Sequence, residues 1–404
     1  MGLQKHSNLA GYALGNILKH KTKTVALLIA LITSTFLLAS TEFIREGVVR
    51  DVNSSLEEGP DIVVQRLVGG RQVAVPHSWV DNVSKTAGVQ LASPRVWGYS
   101  DIGTGSLLTV MGVNASDYGE AYGAVGTNIL ESGRFLREND TNRMVVGKGI
   151  VDLMAASHSS LHVEVGSNLS LISYDGRLIN FQIVGIFTSE SKIFSYDLIL
   201  TDLESARSVI GGENSTFTDI AVWTELGAPL NDVAFRLDTR MPDARVLTRD
   251  GISDSMLKVY GGRAGIIAIL WAIILVIVVL LALTVSSGGS DESRREVGLL
   301  KALGFDTVDV IEIRMFESTF VGLLGGSIGL SASIVFDFIL GAPVLSGYLL
   351  GWNLLLLNGG IPLSFSPQIL FIVYSMSVIP ILVATVLPAW RNAIIEPDSV
   401  LRGV

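Results

Sequence analysis

The stretch AGIIAILWAIILVIVVLLALTVSSGGS, Ala264–Ser290, carries no charge over 27 residues. A helix rises ~1.5 Å per residue, so about 20 apolar residues cross the ~30 Å of bilayer hydrocarbon. The run therefore reads as a membrane span. Three more follow from the same rule. Thr24–Thr41 is uncharged over 18 residues, Ser318–Phe336 over 19, and Phe338–Trp390 over 53. Gly341, Pro343, Gly359, Gly360, Pro362 and Pro367 break that last stretch. It is expected to hold the end of the third span, an apolar hairpin, and a fourth span. Nearly half of the 404 residues are apolar and only 17% are charged, an excess that collects in these runs. The first is read as a retained helix, because no A-x-A cleavage site follows it.

Lys and Arg set the expected orientation. Lys5, Lys19, Lys21 and Lys23 precede span one. Arg294, Arg295, Lys301 and Arg314 lie between spans two and three, and Arg391 and Arg402 follow span four. The third–fourth hairpin has no basic residue. Both termini are thus expected in the cytoplasm of a multi-pass cell-membrane protein, with Glu42–Arg263 outside. That outer segment has 19 basic and 28 acidic residues and carries the whole net charge of −9. Large domains translocate regardless of charge. Ten of the chain's asparagines lie in it, and six begin an N-x-[ST] triplet: Asn53, Asn82, Asn114, Asn139, Asn168 and Asn214; the other five in the chain begin none. Such triplets are glycan acceptors only outside the cytoplasm, which points to a glycosylating host, archaeal rather than bacterial.

Within the outer segment, short runs rich in Val and Ile predict strands at Asp61–Gln65, Leu107–Val113, Leu169–Ser173, Phe181–Phe187 and Asp219–Trp223. Tyr174-Asp-Gly-Arg177 predicts a hairpin turn. Helical patterns cover Ser78–Ala87, Gly149–Ala156, Leu203–Ile210 and Leu230–Leu237. The expected class is a four-helix membrane protein with a large extracytoplasmic α+β domain inserted between the first and second spans.

Much chemistry is excluded. With no cysteine, thiolate catalysis, disulfides and cysteine-ligated metals are ruled out. There is no phosphate loop, nucleophile elbow or H-E-x-x-H helix; Gly147-Lys148-Gly149 reads as a plain turn. His158 and His162 lack a third ligand. The acidic balance offers little to nucleic acid. No catalytic, cofactor or metal site is expected in this chain. Glu42, Glu317 and Asp337 flank apolar runs, where a carboxylate can stay at the interface.

Three pieces read as cytoplasmic and amphipathic. Ala10, Ala13, Leu14, Ile17 and Leu18 form a helical stripe ahead of span one, as in a helix lying on the membrane surface. Between spans two and three, Ser290 and Ser293 suit helix caps, Asp291 and Glu292 suit a helix start, and Gly304 suits a stop. A further helix is expected over Thr307–Glu317.

Arg295-Glu-Val-Gly-Leu-Leu-Lys-Ala-Leu-Gly304 closely resembles the R-E-I-G-[IL]-[LM]-[KR]-A-[LI]-G signature of the MacB/FtsX-type permeases of ABC transporters, the mechanotransmission class. Pro388-Ala-Trp-Arg391 with Glu396–Arg402 is similar to that family's C-terminal ending, although Ser399 stands where Glu–Ala is expected. Leu14–Lys23 resembles its membrane-surface helix. Val145–Gly149, Val165–Leu171 and Phe181–Ile186 resemble its periplasmic core domain. The resemblance implies that Arg294, Arg295, Glu296, Gly298, Leu299, Leu300, Lys301 and Gly304 couple the chain to a separate ABC ATP-binding subunit, which would supply ATP and magnesium. It also implies a second permease copy, expected to form a homodimer. Gly69–Gln72 and the acidic outer face are candidates for meeting an extracytoplasmic partner protein. Asp51–Leu56 and Ser253–Tyr260 would continue spans one and two as stalks.

The expected map is an amphipathic helix at 1–23, spans at 24–44, 263–289, 317–340 and 368–389, the outer domain at 45–262, the coupling region at 290–316, an outer hairpin at 341–367 and a tail at 390–404. Gly322, Gly325, Gly326 and Gly329 form two overlapping G-x-x-x-G pairs for close helix packing, either inside the chain or between copies. A competing reading is a membrane-anchored extracellular adhesion or sensing protein without an ATPase. That reading leaves the coupling signature unexplained.

Overall fold

The computed structural model describes residues 2–19, 21–101, 107–118, 130–156, 163–188, 197–287, 297–350 and 361–394. The chain divides into two compact units. One comprises residues 1–46, 262–345 and 363–404, the other 47–261 and 346–362.

The first unit is helical. Among the described residues, four helices are long and apolar enough to cross a membrane: Thr24–Ser54, Gly261–Thr284, Thr307–Ile339 and Pro367–Arg391. The helix of span one runs unbroken over Lys21–Glu58 and that of span two over Arg249–Ser287. At 38 and 39 residues each far exceeds the ~20 that a bilayer needs. Asp51–Leu56 and Ser253–Tyr260 are helical and continuous with their spans.

Span three corrects the sequence reading. No break separates a helix at Thr307–Glu317 from the span; one helix runs Thr307–Ile334. Its charges at Asp309, Glu312, Arg314 and Glu317 are held by partners on one side, so the polar first turns do not end it. It passes into a π-helical turn at Val335–Ile339. Asp337 sits in that turn, fully buried within the protein, and neither carboxylate oxygen has a hydrogen-bond partner among the described residues. Ser40 is its neighbouring hydroxyl, without a bond of ordinary geometry. Widened turns of this kind often mark functional positions.

Spans one, three and four share two apolar clusters. Leu27, Leu31, Val278, Ala282, Val321, Ile381 and Ala384 bury one. Ala39, Phe43, Leu330, Ile369 and Val373 bury the other. Leu370 packs against the second; Phe371, 74% exposed, turns away.

The second unit is built on strands β1 Ile62–Val68, β2 Arg71–Val73, β3 Val75–Pro76, β4 Val89–Asp101, β5 Leu107–Val113, β6 Leu130–Gly133, β7 Arg143–Gly147, β8 Asn168–Ile172, β9 Leu178–Phe187, β10 Leu198–Asp202, β11 Thr216–Phe217, β12 Asp219–Thr224 and β13 Ala244–Thr248. Eleven of them form one sheet, nine along the path β13-β1-β12-β4-β5-β10-β7-β9-β6, with β2 on β1 and β8 on β9. β10 pairs with β5, and β7 with β9, in parallel; the other pairs of the path are antiparallel. The helices Leu203–Ile210 and Leu230–Arg240 follow their predicted positions. Asp202 caps the first, its Oδ1 accepting from Glu204 N at 3.1 Å and Ser205 N at 2.9 Å.

β4 links the two halves of the sheet. Its first part pairs with β12 up to Arg95↔Asp219, and its second pairs with β5 from Val96↔Gly112. At the hand-over Arg95 donates through Nε and Nη2 to Asp219 at 2.7 and 2.9 Å, and Trp97 Nε1 donates to the same carboxylate at 2.9 Å. Burial alone would lower the Arg95 pKa; Asp219 and Tyr118 more than offset this and raise it. A charge this deep persists only when paired in this way.

Candidate coupling site beside the third span

The signature's described part begins at Val297; Arg294, Arg295 and Glu296 lie outside the described residues, as do His158, His162 and the tail from Glu396. Residues 297–302 are helical. Gly304 ends the helix at φ +93°. Phe305 N donates to Leu300 O at 3.1 Å and Gly304 N to Lys301 O at 3.0 Å. These are the two bonds of a Schellman cap, and Phe305 and Leu300 supply its usual apolar contact. The glycine that closes the signature thus has a backbone reason to be there.

The helix lies on a seat. Val297 and Leu300 are buried with Leu9 and Ala13 of the N-terminal helix Gly2–Lys19 and with Val310 and Ile313 of span three's first turns. Polar bonds rim this cluster. Lys5 Nζ pairs with Asp309 Oδ1 at 2.7 Å, and His6 Nδ1 bonds to Glu312. Asn16 Nδ2 donates to Glu317 Oε1 at 2.6 Å, while Arg314 Nη1 reaches Glu317 Oε2 at 2.7 Å. Asp309 also accepts from Asp306 N at 3.2 Å, completing a capping box at the start of span three. Its hydrogen bond raises the pKa of Lys5.

Among the described residues of this helix, two leucines stand outward. Leu299 is 64% exposed and Leu303 70%. They stand four residues apart on one helix edge, turned away from the buried side of Val297 and Leu300. Lys301 is half-buried and Gly298 is buried. The sequence reading takes Gly298 as part of the surface a partner would meet; the structure turns it toward the packed side and leaves Leu299 and Leu303 outermost. Sequence reasoning missed Leu9, Asp309 and Glu312 as the seat. The available signal was Lys5 and His6, adjacent bases facing acids three apart.

The small residues of span three fill two grooves. A Cβ on Gly325 would strike Leu31, and one on Gly329 would meet Thr35 Cβ at 2.8 Å and Ile32 O at 2.9 Å; both residues face span one. A Cβ on Gly322 would meet Val378 Cγ2 at 3.0 Å, and one on Gly326 Ser377 Oγ at 2.7 Å; these face span four. Ser377 Oγ donates to Gly322 O, and Ser318 and Thr385 share a hydrogen bond of 2.6 Å.

Comparison with known proteins gives two family matches. A model described as MacB-like periplasmic core domain covers residues 24–240, and one described as FtsX-like permease C-terminal covers 267–397. An uncharacterized ABC transporter permease of Methanocaldococcus jannaschii is 25% identical over 288 residues. The match takes in 68% of this chain and spans 65% of the relative's length. Among solved structures, the periplasmic region of MacB from Actinobacillus actinomycetemcomitans aligns at 15% identity and a TM-score of 0.36, over 51% of this chain and 97% of that one. The extracellular domain of the noncanonic ABC-type transporter YknZ from Gram-positive bacteria aligns at 12% identity and a TM-score of 0.33, over 46% and 99%.

Proposed function

Because the chain belongs to the MacB/FtsX-type permeases of ABC transporters, we propose that it couples ATP hydrolysis by a separate cytoplasmic ATPase to motion of its outer domain, for export, extraction or mechanotransmission. The observation that carries this reading is the exposed Leu299–Leu303 edge on a helix otherwise seated in its own chain. A solvated loop helix has no need to leave two leucines of one edge outward while burying another side; a docking surface does. In this reading the ATPase receives the edge in an apolar cleft, and the seat of Gly2–Lys19 passes its displacement to span three. ATP and magnesium are held by the ATPase. The continuous helices Lys21–Glu58 and Arg249–Ser287 carry the displacement outward. A second permease copy and an extracytoplasmic partner complete the proposed assembly, with both termini cytoplasmic.

The test is copurification of the full chain with the ABC ATPase of its own host. Leu299→Asp with Leu303→Asp should abolish copurification while leaving the permease monodisperse. Retained copurification and undiminished ATPase stimulation would overturn the assignment.

A further inference from the structure

We propose that the outer domain carries N-linked oligosaccharide at Asn139, Asn168 and Asn214, and not at Asn53, Asn82 or Asn114. The inference rests on the topology that places this domain outside the membrane. All six asparagines begin N-x-[ST] triplets, and the structure separates them into two groups.

A transferase must reach the carboxamide and read the hydroxyl two residues on at the same time. An α-helix turns ~100° per residue, so residues i and i+2 point to opposite faces. Asn53 lies within the helix Lys21–Glu58 and Asn82 within His77–Ser84. Both are exposed, yet each sits inside a helix, and helix geometry turns Ser84 away from Asn82. Asn114 is half-buried, and its Oδ1 already accepts from Ser116 N at 3.2 Å and Ser116 Oγ at 2.8 Å.

The other three asparagines are exposed and lie outside helices, although the Ser170 and Thr216 hydroxyls donate to Asn180 Oδ1 and Glu213 O. Asn139 and Asn214 are exposed residues of turns, ahead of β7 and β11. Asn168 is the exposed first residue of β8, a strand whose pairing among the described residues is with β9. In a strand residues i and i+2 share a face, so Asn168 and Ser170 point the same way. The modification is a substitution without redox change. Asn Nδ2 bonds to the anomeric carbon of a lipid-phosphate-linked sugar, that carbon's bond to the phosphate oxygen breaks, the lipid phosphate departs and one amide proton is lost.

The experiment is glycopeptide mass spectrometry of the full chain purified from its own host, with the same chain made in a host lacking N-glycosylation as a blank. Sugar-bearing peptides at Asn139, Asn168 and Asn214, with bare peptides at the other three, are expected. Each of Asn139→Gln, Asn168→Gln and Asn214→Gln should remove one step of electrophoretic retardation. Bare asparagines at all three turn and strand sites, or sugar confined to Asn53, Asn82 and Asn114, would overturn the proposal. The topology is checked separately. Single cysteines at Glu138 and Glu213, placed in this cysteine-free chain, should react with a membrane-impermeant maleimide on whole cells. Reaction without sugar sinks the glycan proposal alone; no reaction until the cells are opened sinks the topology beneath it.

Discussion

Asp61 and Arg249 pair at 3.0 Å, where the first long helix has just ended and the second begins. Gly59 and Pro60 stop the helix of span one. Arg249 Nη2 also reaches Gly59 O at 2.9 Å, and Asp61 Oδ2 accepts from Thr224 N and Oγ1 at 2.7 and 2.9 Å. The two helices thus enter the domain on adjacent strands, in the register Ile62↔Thr248. A pull on either reaches the same edge of the sheet.

This joint predicts an order of stability losses. Arg249→Ala removes a partly exposed pair and should cost about 1 kcal/mol or less. Asp61→Ala also strands the Thr224 amide and should cost about 1–3 kcal/mol. Thermal unfolding of the full chain in detergent, followed by a probe in the outer domain, checks the ranking; a larger loss for Arg249→Ala would contradict it.

Span three should tolerate little at its inner faces. Gly329 abuts backbone atoms of span one, which cannot swing aside, whereas Gly326 abuts the Ser377 hydroxyl. Gly329→Leu should therefore be more damaging than Gly326→Ala, with overpacking costs of about 1–3 kcal/mol or more. Phe371→Ala, on the exposed face, should be mild. Size-exclusion profiles after graded heating distinguish these outcomes.

Asp140 gives the outer domain an acid-sensitive point. Arg134 binds its carboxylate through Nη1 at 2.6 Å and Nη2 at 2.9 Å, Arg137 N donates at 2.9 Å, and Arg143 Nη1 at 2.5 Å. The Arg134 bonds first, then those of Arg137 and Arg143, hold its pKa well below the usual carboxylate range against the opposing effect of burial. A lowered folded-state pKa gives stability that is full above the unfolded value near ~3.9 and is lost as pH falls below it toward the folded one. Asp140→Asn should destabilise by about 1–3 kcal/mol at pH 7, and the gap to the parent should close as pH drops below about 4. An equal gap at pH 7 and pH 3 would contradict the assignment.

Arg95 and Asp219 should behave as a unit. Arg95→Met leaves a buried carboxylate without its cation, an effect of about 3–5 kcal/mol. Adding Asp219→Leu should recover much of the loss. An additive double variant, measured by denaturant unfolding, would show that the pair is not coupled.

Much of this was legible in the sequence where one local rule decided the outcome. Uncharged runs of 18 or more residues marked the spans, Tyr174-Asp-Gly-Arg177 marked the β8–β9 turn, and Leu203–Ile210 was read to the residue. β4 was missed because Pro94 and Arg95 sit mid-strand, and only the distant Asp219 makes Arg95 tolerable there. β7 was read around Gly147 as a turn because its apolar run is short and pairs with strands remote in sequence. At the coupling site, the stop at Gly304 was visible. The burial of Gly298 was not, since it depends on how the segment packs against the rest of the chain. The roles of Gly322 and Gly325 could not be divided between spans one and four from spacing alone.

The central claim is that hydrolysis at the cytoplasmic side moves the outer domain through two continuous helices. It is tested most directly by a distance measured across them. Nitroxides on Val308→Cys, 69% exposed, and Leu226→Cys, fully exposed, would report on the reconstituted complex with its ATPase by electron–electron resonance. The account predicts that the distance distribution shifts between the nucleotide-free and ATP-trapped states, and that Leu299→Asp with Leu303→Asp abolishes the shift. An unchanged distribution while the bound ATPase turns over would contradict it.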